Sequence, residues 1–269
     1  MTSSRARVTL LGLPTDVNSS HLRGAAAGPG AIRRALHSGA SNMTAENGVD
    51  VGAEGVLGDE GDLDLAESSG DFDRIVAAVG RERARGQRVL CLGGDHSVTY
   101  PILRAMAEGG TRPAVLHFDA HPDLYDEFDG NRLSHACPFA RIMEEGLASR
   151  LVQVGIRTLN AEQEEQARRF GVEIVHMRDF RIEAVPVPEG PVYVTIDLDG
   201  LDPAYAPGVS HLEPGGLSVR ELLAVLRRVR GPVIGADVVE LNPSRDVGDL
   251  TAVVAAKLVK ELAGRMSAD

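Results

Sequence analysis

Short runs of apolar, β-prone residues recur along the chain at 8–13, 89–92, 114–118, 151–156, 172–175, 192–196 and 232–238, and stretches of helical periodicity fall between them. Alternation of this kind builds βαβ units into one mostly parallel sheet. The helical stretches are 31–37, 72–85, 100–108, 139–145, 161–170, 219–228 and 251–265, of which the last two are amphipathic enough to cover a sheet face. Between 40 and 69 the pattern lapses into Gly, Asp, Glu and Ser, which predicts a long surface loop or a poorly ordered segment without chemistry. No repeat or linker divides the pattern. Residues 1–269 therefore read as a single α/β domain, a size that such sheets reach without splitting.

Composition narrows this picture. Hydrophobic residues make up 43% of the chain and aromatics 4%, so the core is expected to be aliphatic, as suits a parallel sheet under helices. A net charge of −11 argues against a nucleic-acid or anionic-membrane surface and is compatible with cationic small molecules or with simple solubility. Cys91 and Cys137 are too few for a disulfide framework, and no apolar run is long enough to cross a bilayer. The first seven residues form a short polar stretch with no signal-peptide h-region behind it, which points to the cytoplasm.

Chemistry is expected at the strand ends, where open α/β sheets bind ligands. Gly93-Gly94-Asp95-His96-Ser97 follows the strand ending at Leu92, so the glycines turn the chain and leave His96 at its carboxyl end. Alone, that motif also reads as a turn with a helix cap. The strand 114–118 runs into Asp119-Ala120-His121-Pro122-Asp123, and the strand period of two sends Asp119 and His121 to one side. A third strand ends in Asp197-Leu198-Asp199, again with two carboxylates on one side, while Asp202 before Pro203 reads as a turn residue. His96, Asp119, His121, Asp123, Asp197 and Asp199 are too many for one ion. Buried carboxylates need compensating charge, and six such side chains suit two divalent cations about 3.5 to 4 Å apart. The lack of thiolates favours a hard ion such as Mn²⁺.

These motifs, with Ile196-Asp197-Leu198-Asp199-Gly200-Leu201-Asp202-Pro203, resemble those of the ureohydrolases, the family of arginase, agmatinase and guanidinobutyrase, in order and spacing over essentially the whole chain. Ser134-His135-Ala136, the run from Phe139 to Glu144 and Pro207-Gly208-Val209-Ser210-His211 look most like plant-type arginases and their bacterial relatives. The resemblance implies a three-layer α/β/α sandwich with a mostly parallel sheet of eight strands, two Mn²⁺ per chain, a homo-oligomer of trimers or hexamers, and hydrolysis of a small guanidino substrate to urea. It gives one ion His96, Asp119, Asp123 and Asp197 and the other His121, Asp119, Asp197 and Asp199. It also makes His135 a proton carrier and Glu240 the carboxylate that holds the guanidinium, against the plainer readings of a helix cap for His135 and an ion pair with Arg245 for Glu240.

The resemblance places the far end of the substrate near Asn131 and Ser134, with His211 and Glu213 lining the entrance or merely occupying a surface loop. L-Arginine is slightly favoured over agmatine, with a guanidino-acid hydrolase as the alternative, and arginine or polyamine metabolism is the expected setting. More remote are a single-zinc deacetylase of related fold and a catalytically silent subunit. Cys137 is expected to pack rather than to react.

Overall fold

The computed structural model describes residues 7–68 and 70–268. Eight parallel strands form one sheet: β1 (Val8–Leu13), β2 (Leu57–Asp62), β3 (Arg88–Gly93), β4 (Ala114–Phe118), β5 (Arg150–Ile156), β6 (Glu173–His176), β7 (Val192–Asp197) and β8 (Val233–Val239). Their order is β2-β1-β3-β8-β7-β4-β5-β6. Seven α-helices cover it: α1 (Gly28–Leu36), α2 (Asp71–Ala84), α3 (Thr99–Glu108), α4 (Pro138–Glu144), α5 (Ala161–Phe170), α6 (Val219–Arg228) and α7 (Leu250–Ala268). One apolar layer gathers Leu10, Leu90, Leu116 and Val194 with α1, α6 and α7, and a second gathers Leu11, Cys91, Val115 and Tyr193 with α2, α3 and α4. Alternate residues of each strand thus feed opposite layers, as the period of two demands.

Helix ends follow local chemistry. Ser218 and Glu221 form a reciprocal capping box at α6. Asn160 caps α5 by accepting from the Gln163 N–H, and Gly171 closes that helix in a left-handed conformation.

Within the stretch expected to be a loop, residues 40–68 are more ordered than their composition suggests. They contain β2, which pairs in parallel with β1, and a bridge between Thr44 and Asp50. Strand β2, Leu-Gly-Asp-Glu-Gly-Asp, has no apolar alternation because it lies at the sheet edge and is only partly buried. Arg33 of α1 holds it from the side through Asp59, Asp62 and the Gly61 carbonyl.

Candidate metal centre

The four central strands, β3, β8, β7 and β4, are contiguous in the sheet, and each delivers polar groups at its carboxyl end. Gly94 allows the first: a Cβ there would come within 1.8 Å of the Thr15 carbonyl, so only glycine lets β3 pass this close before His96. Asp95 accepts from the Ser97 N–H and hydroxyl at one oxygen and from the Asn18 N–H at the other, so it caps the turn and ties down the loop after β1. Asp123 and Glu240 sit at φ of 49° and 67°, a region that costs a non-glycine residue energy and persists where the surroundings enforce it.

Two clusters share Asp119. His96 Nδ1 lies 3.1 Å from Asp119 Oδ2, 3.0 Å from Asp123 Oδ2 and 3.3 Å from Asp197 Oδ2. His121 Nδ1 lies 3.4 Å from Asp119 Oδ1 and 3.0 Å from Asp199 Oδ2. All six residues expected from the sequence are therefore brought together, and Asp119 turns one oxygen to each cluster. Donors about 3 Å apart suit neighbouring ligands of one divalent ion with bonds of about 2.1 Å.

The electrostatics call for positive charge. Burial and the neighbouring carboxylates Asp199 and Asp119 push Asp197 far above the usual range. Burial also lifts Asp199, to about 6, with Asp119 adding to it while His121 pulls the other way. For His121, burial opposes protonation, but Asp199 and Asp119 outweigh it and raise the ring to about 12. Carboxylates that resist ionising beside histidines that would rather be charged are what a cation resolves. The fully buried His96 Nδ1, which has no hydrogen-bond partner among the described residues, points the same way.

Above these groups a cavity of about 250 Å³ is lined by Ser20, Tyr125, Phe128, His135, Thr158, Gln163, His211, Glu213 and Glu240 together with His121, Asp123, Asp197 and Asp199. His135 Nδ1 is 2.8 Å from Glu240 Oε1, and its Nε2 receives the Ser20 N–H at 3.1 Å. Because Ser20 donates into Nε2, the proton of a neutral ring lies on Nδ1, facing Glu240. Glu240 Oε1 also accepts the His96 N–H, whereas its Oε2 accepts no hydrogen bond from the described residues. Glu240 thus pairs with His135 rather than Arg245, and α4 begins after Cys137 without a side-chain cap from His135.

Asn131 and Ser134 are not among the cavity-lining residues. The Asn131 amide is turned to Asn18 Oδ1, and Ser134 to the Asn18 carbonyl and Ala136 N–H. Ser20, Thr158 and Gln163 take the wall positions instead, which the sequence did not flag because they lie far apart in the chain. His211 and Glu213 do line the cavity. Asp202 accepts from the Ala204, Gly215 and Gly216 N–H groups, a turn role. Cys137 is buried, and burial pushes its thiol to about 12, so it is no nucleophile.

The Arginase family model matches residues 6–264. The chain belongs to the arginase family. It is 48% identical to "Arginase 1, mitochondrial" of Arabidopsis thaliana, covering 98% of this chain and 82% of that protein. It is 38% identical to the guanidinopropionase of Pseudomonas aeruginosa, covering 95% and 85% of the two chains. The solved arginase of Medicago truncatula superposes with a TM-score of 0.89 at 44% identity, over 97% of this chain and 87% of that one. This arginase-family chain is accordingly a hydrolase of carbon–nitrogen bonds in amidines, from a metal-dependent family that acts on small guanidino substrates.

The expected cytoplasmic placement does not stand, because similar arginases are named mitochondrial or chloroplastic/mitochondrial. Its basis was the polar start of the chain. Residues 1–6 lie outside the described residues, and the catalytic fold carries no address, which resides in targeting segments. Among the described residues no helix is long and apolar enough to cross a membrane.

Proposed function

We propose that the protein is a binuclear manganese amidinohydrolase that releases urea from L-arginine, with agmatine as the second candidate. The observation that carries the reading is the pair of donor clusters sharing Asp119 beneath a cavity with Glu240 in its wall. His96, Asp119, Asp123 and Asp197 would hold one ion, and His121, Asp119, Asp197 and Asp199 the other. When bound, the pair supplies hydroxide at neutral pH. Assembly into trimers or hexamers is carried by the family resemblance.

The rest belongs to the chain. Glu240, fixed at Oε1 by the His96 N–H and His135, presents its remaining oxygen to a guanidinium and so orients the substrate carbon over the clusters. His135 is held directly against Glu240 and also lines the open cavity. Burial lowers its basicity, but Glu240 and Asp95 outweigh burial and raise it to about 9. It can therefore carry a proton to the departing amine, a contribution typically worth ~10² to 10⁴ in rate.

The cavity wall includes no lysine or arginine, and Glu213 is half-buried there with no ion pair among the described residues. Arg157 grips the Glu213 backbone carbonyl and leaves the carboxylate to the cavity. A substrate whose far end bears an amine is therefore favoured over a guanidino acid. This is also the observation that favours agmatine, whose far end has no carboxylate. The identity to arginases favours arginine.

The test is urea release by the manganese-loaded protein from L-arginine, agmatine, 4-guanidinobutyrate and guanidinoacetate. Asp119→Asn should be inactive. His135→Ala should turn over ~10² to 10⁴ times more slowly with its manganese retained. Absence of urea from every substrate would refute the reading, and loss of metal from His135→Ala would refute the role given to that residue.

A further inference from the structure

Beneath the ligand ends runs a row of polar side chains that none of the roles above uses. Gln153 of β5 stands opposite His117 of β4, His117 opposite Thr195 of β7, and Thr195 opposite Asp237 of β8 in the sheet register. All four are fully buried, and the neighbours that continue this level across the sheet, Cys91, Leu11 and Ile174, are apolar. His117 and Thr195 fall two residues before Asp119 and Asp197, on the same side of their strands. His117 also lies close enough to His96 and Asp119 to pass for another metal ligand.

Its partners argue otherwise. Gln153 Nε2 is 2.7 Å from the Pro122 carbonyl, which can only accept, so the atom facing it is the amide NH₂. The same NH₂ lies 3.0 Å from His117 Nδ1, which makes Nδ1 the acceptor and puts the proton of a neutral ring on Nε2. Nε2 lies 2.7 Å from Asp119 Oδ2 and donates to it. A nitrogen that spends its proton in this way has no lone pair for a metal. Phe139 stacks on the ring at 4.0 Å and 28° and holds its plane.

We infer that His117 is a positioning residue: through the tautomer that Gln153 imposes, it donates to Asp119 Oδ2 and fixes the carboxylate that must serve both metal clusters. The other oxygen, Oδ1, is pinned by the His121 N–H at 2.6 Å, so the two donors together set the carboxylate plane. Gln153 reaches Pro122, between His121 and Asp123, and steadies that turn by the same amide. Supporting hydrogen bonds of this kind orient metal ligands, and their loss typically costs about 10- to 100-fold in metal affinity.

The inference rests on the metal reading and is tested apart from turnover. Manganese content and affinity are measured for the wild type, His117→Phe, which keeps a flat ring without a donor, His117→Gln, which keeps an amide donor, and Gln153→Leu. Expected are two ions per chain throughout, with affinity reduced about 10- to 100-fold in His117→Phe, less in Gln153→Leu, and largely restored in His117→Gln. Histidine ¹⁵N shifts of the wild type loaded with diamagnetic cadmium should show His117 protonated at Nε2 only, independently of how any variant folds. An Nδ1–H tautomer, undiminished affinity in a folded His117→Phe, or one ion lost outright in His117→Gln would overturn it, the last by making His117 a ligand. A wild type that takes up no manganese would overturn the metal reading as well.

Discussion

The centre and the edges of this sheet solve different problems. Strands β3, β4 and β7 are almost wholly buried and end in histidines and carboxylates that crowd one another, so their ends are costly to assemble. Strands β2 and β6 are only partly buried, carry no candidate ligand, and are held by arginine–carboxylate pairs, Arg33 to Asp59 and Asp62 and Arg150 to Glu173. Charge at the centre is only partly compensated, by histidines set among crowded carboxylates, until something cationic arrives. Charge at the edges is already paired and meets water, where each such pair contributes little. The difference teaches that the centre is arranged for function at some expense of stability, and the edges for stability alone.

Substituting a central ligand breaks this comparison most severely. Asp197→Asn should lower urea release by about 10³-fold or more, since it removes a ligand expected to serve both ions. The metal-free variant should nevertheless melt higher than metal-free wild type, because burial beside Asp199 and Asp119 already drives the Asp197 carboxyl far toward its neutral form. A gain of about 1 kcal/mol corresponds to roughly 2–4 °C for a chain approaching this size. A lower melting temperature without metal would mean that Asp197 stabilises the fold itself, and the contrast between centre and edge would fail.

The same contrast decides what could be read from the sequence. The ligands were legible because Asp119, His121 and Asp123, like Asp197 and Asp199, follow apolar strands where a polar cluster demands explanation. Strand β2 was not, because an edge strand half in water needs no apolar alternation, and Leu57–Asp62 reads as loop. His117 and Gln153 sat unremarked inside Ala114–Phe118 and Arg150–Ile156, since one polar residue in an apolar run signals nothing until its neighbour across the sheet is known. Ser20 was beyond reach for a similar reason: Asp95, through Asn18, brings its loop to His135 over a long chain separation. Asn131 and Ser134 stand where the family resemblance puts a substrate-gripping loop, but the structure turns both toward Asn18.

Glu213 lies between the extremes, at the rim of the central cavity but open to water. Glu213→Gln should raise KM for arginine and agmatine roughly three- to fivefold with kcat little changed, the effect of about 1 kcal/mol for a screened ion pair. Activity toward 4-guanidinobutyrate, whose far end is anionic, should rise by a comparable factor. Parallel changes for cationic and anionic substrates would show that the Glu213 charge does not read the far end.

The smallest effect belongs to the edge of the fold, where Glu46 meets Arg220, Arg227 and Lys257 and so ties the segment before β2 to α6 and α7. Hydrogen bonds from Arg220 and Lys257 draw its carboxyl down from 4.5 to about 2. A carboxylate held lower in the folded state contributes stability that is complete above its unfolded value and fades as pH falls from 4.5 toward 2. Thermal melts of wild type and Glu46→Gln should therefore differ slightly at neutral pH and converge on acidification below that upper value. Because the group is mostly in water, the gap should also shrink in about 1 M salt, where screening reaches within about 3 Å. A gap unaffected by either pH or salt would assign Glu46 to packing rather than charge, and the edges would then owe their hold to contacts of the same kind as the core.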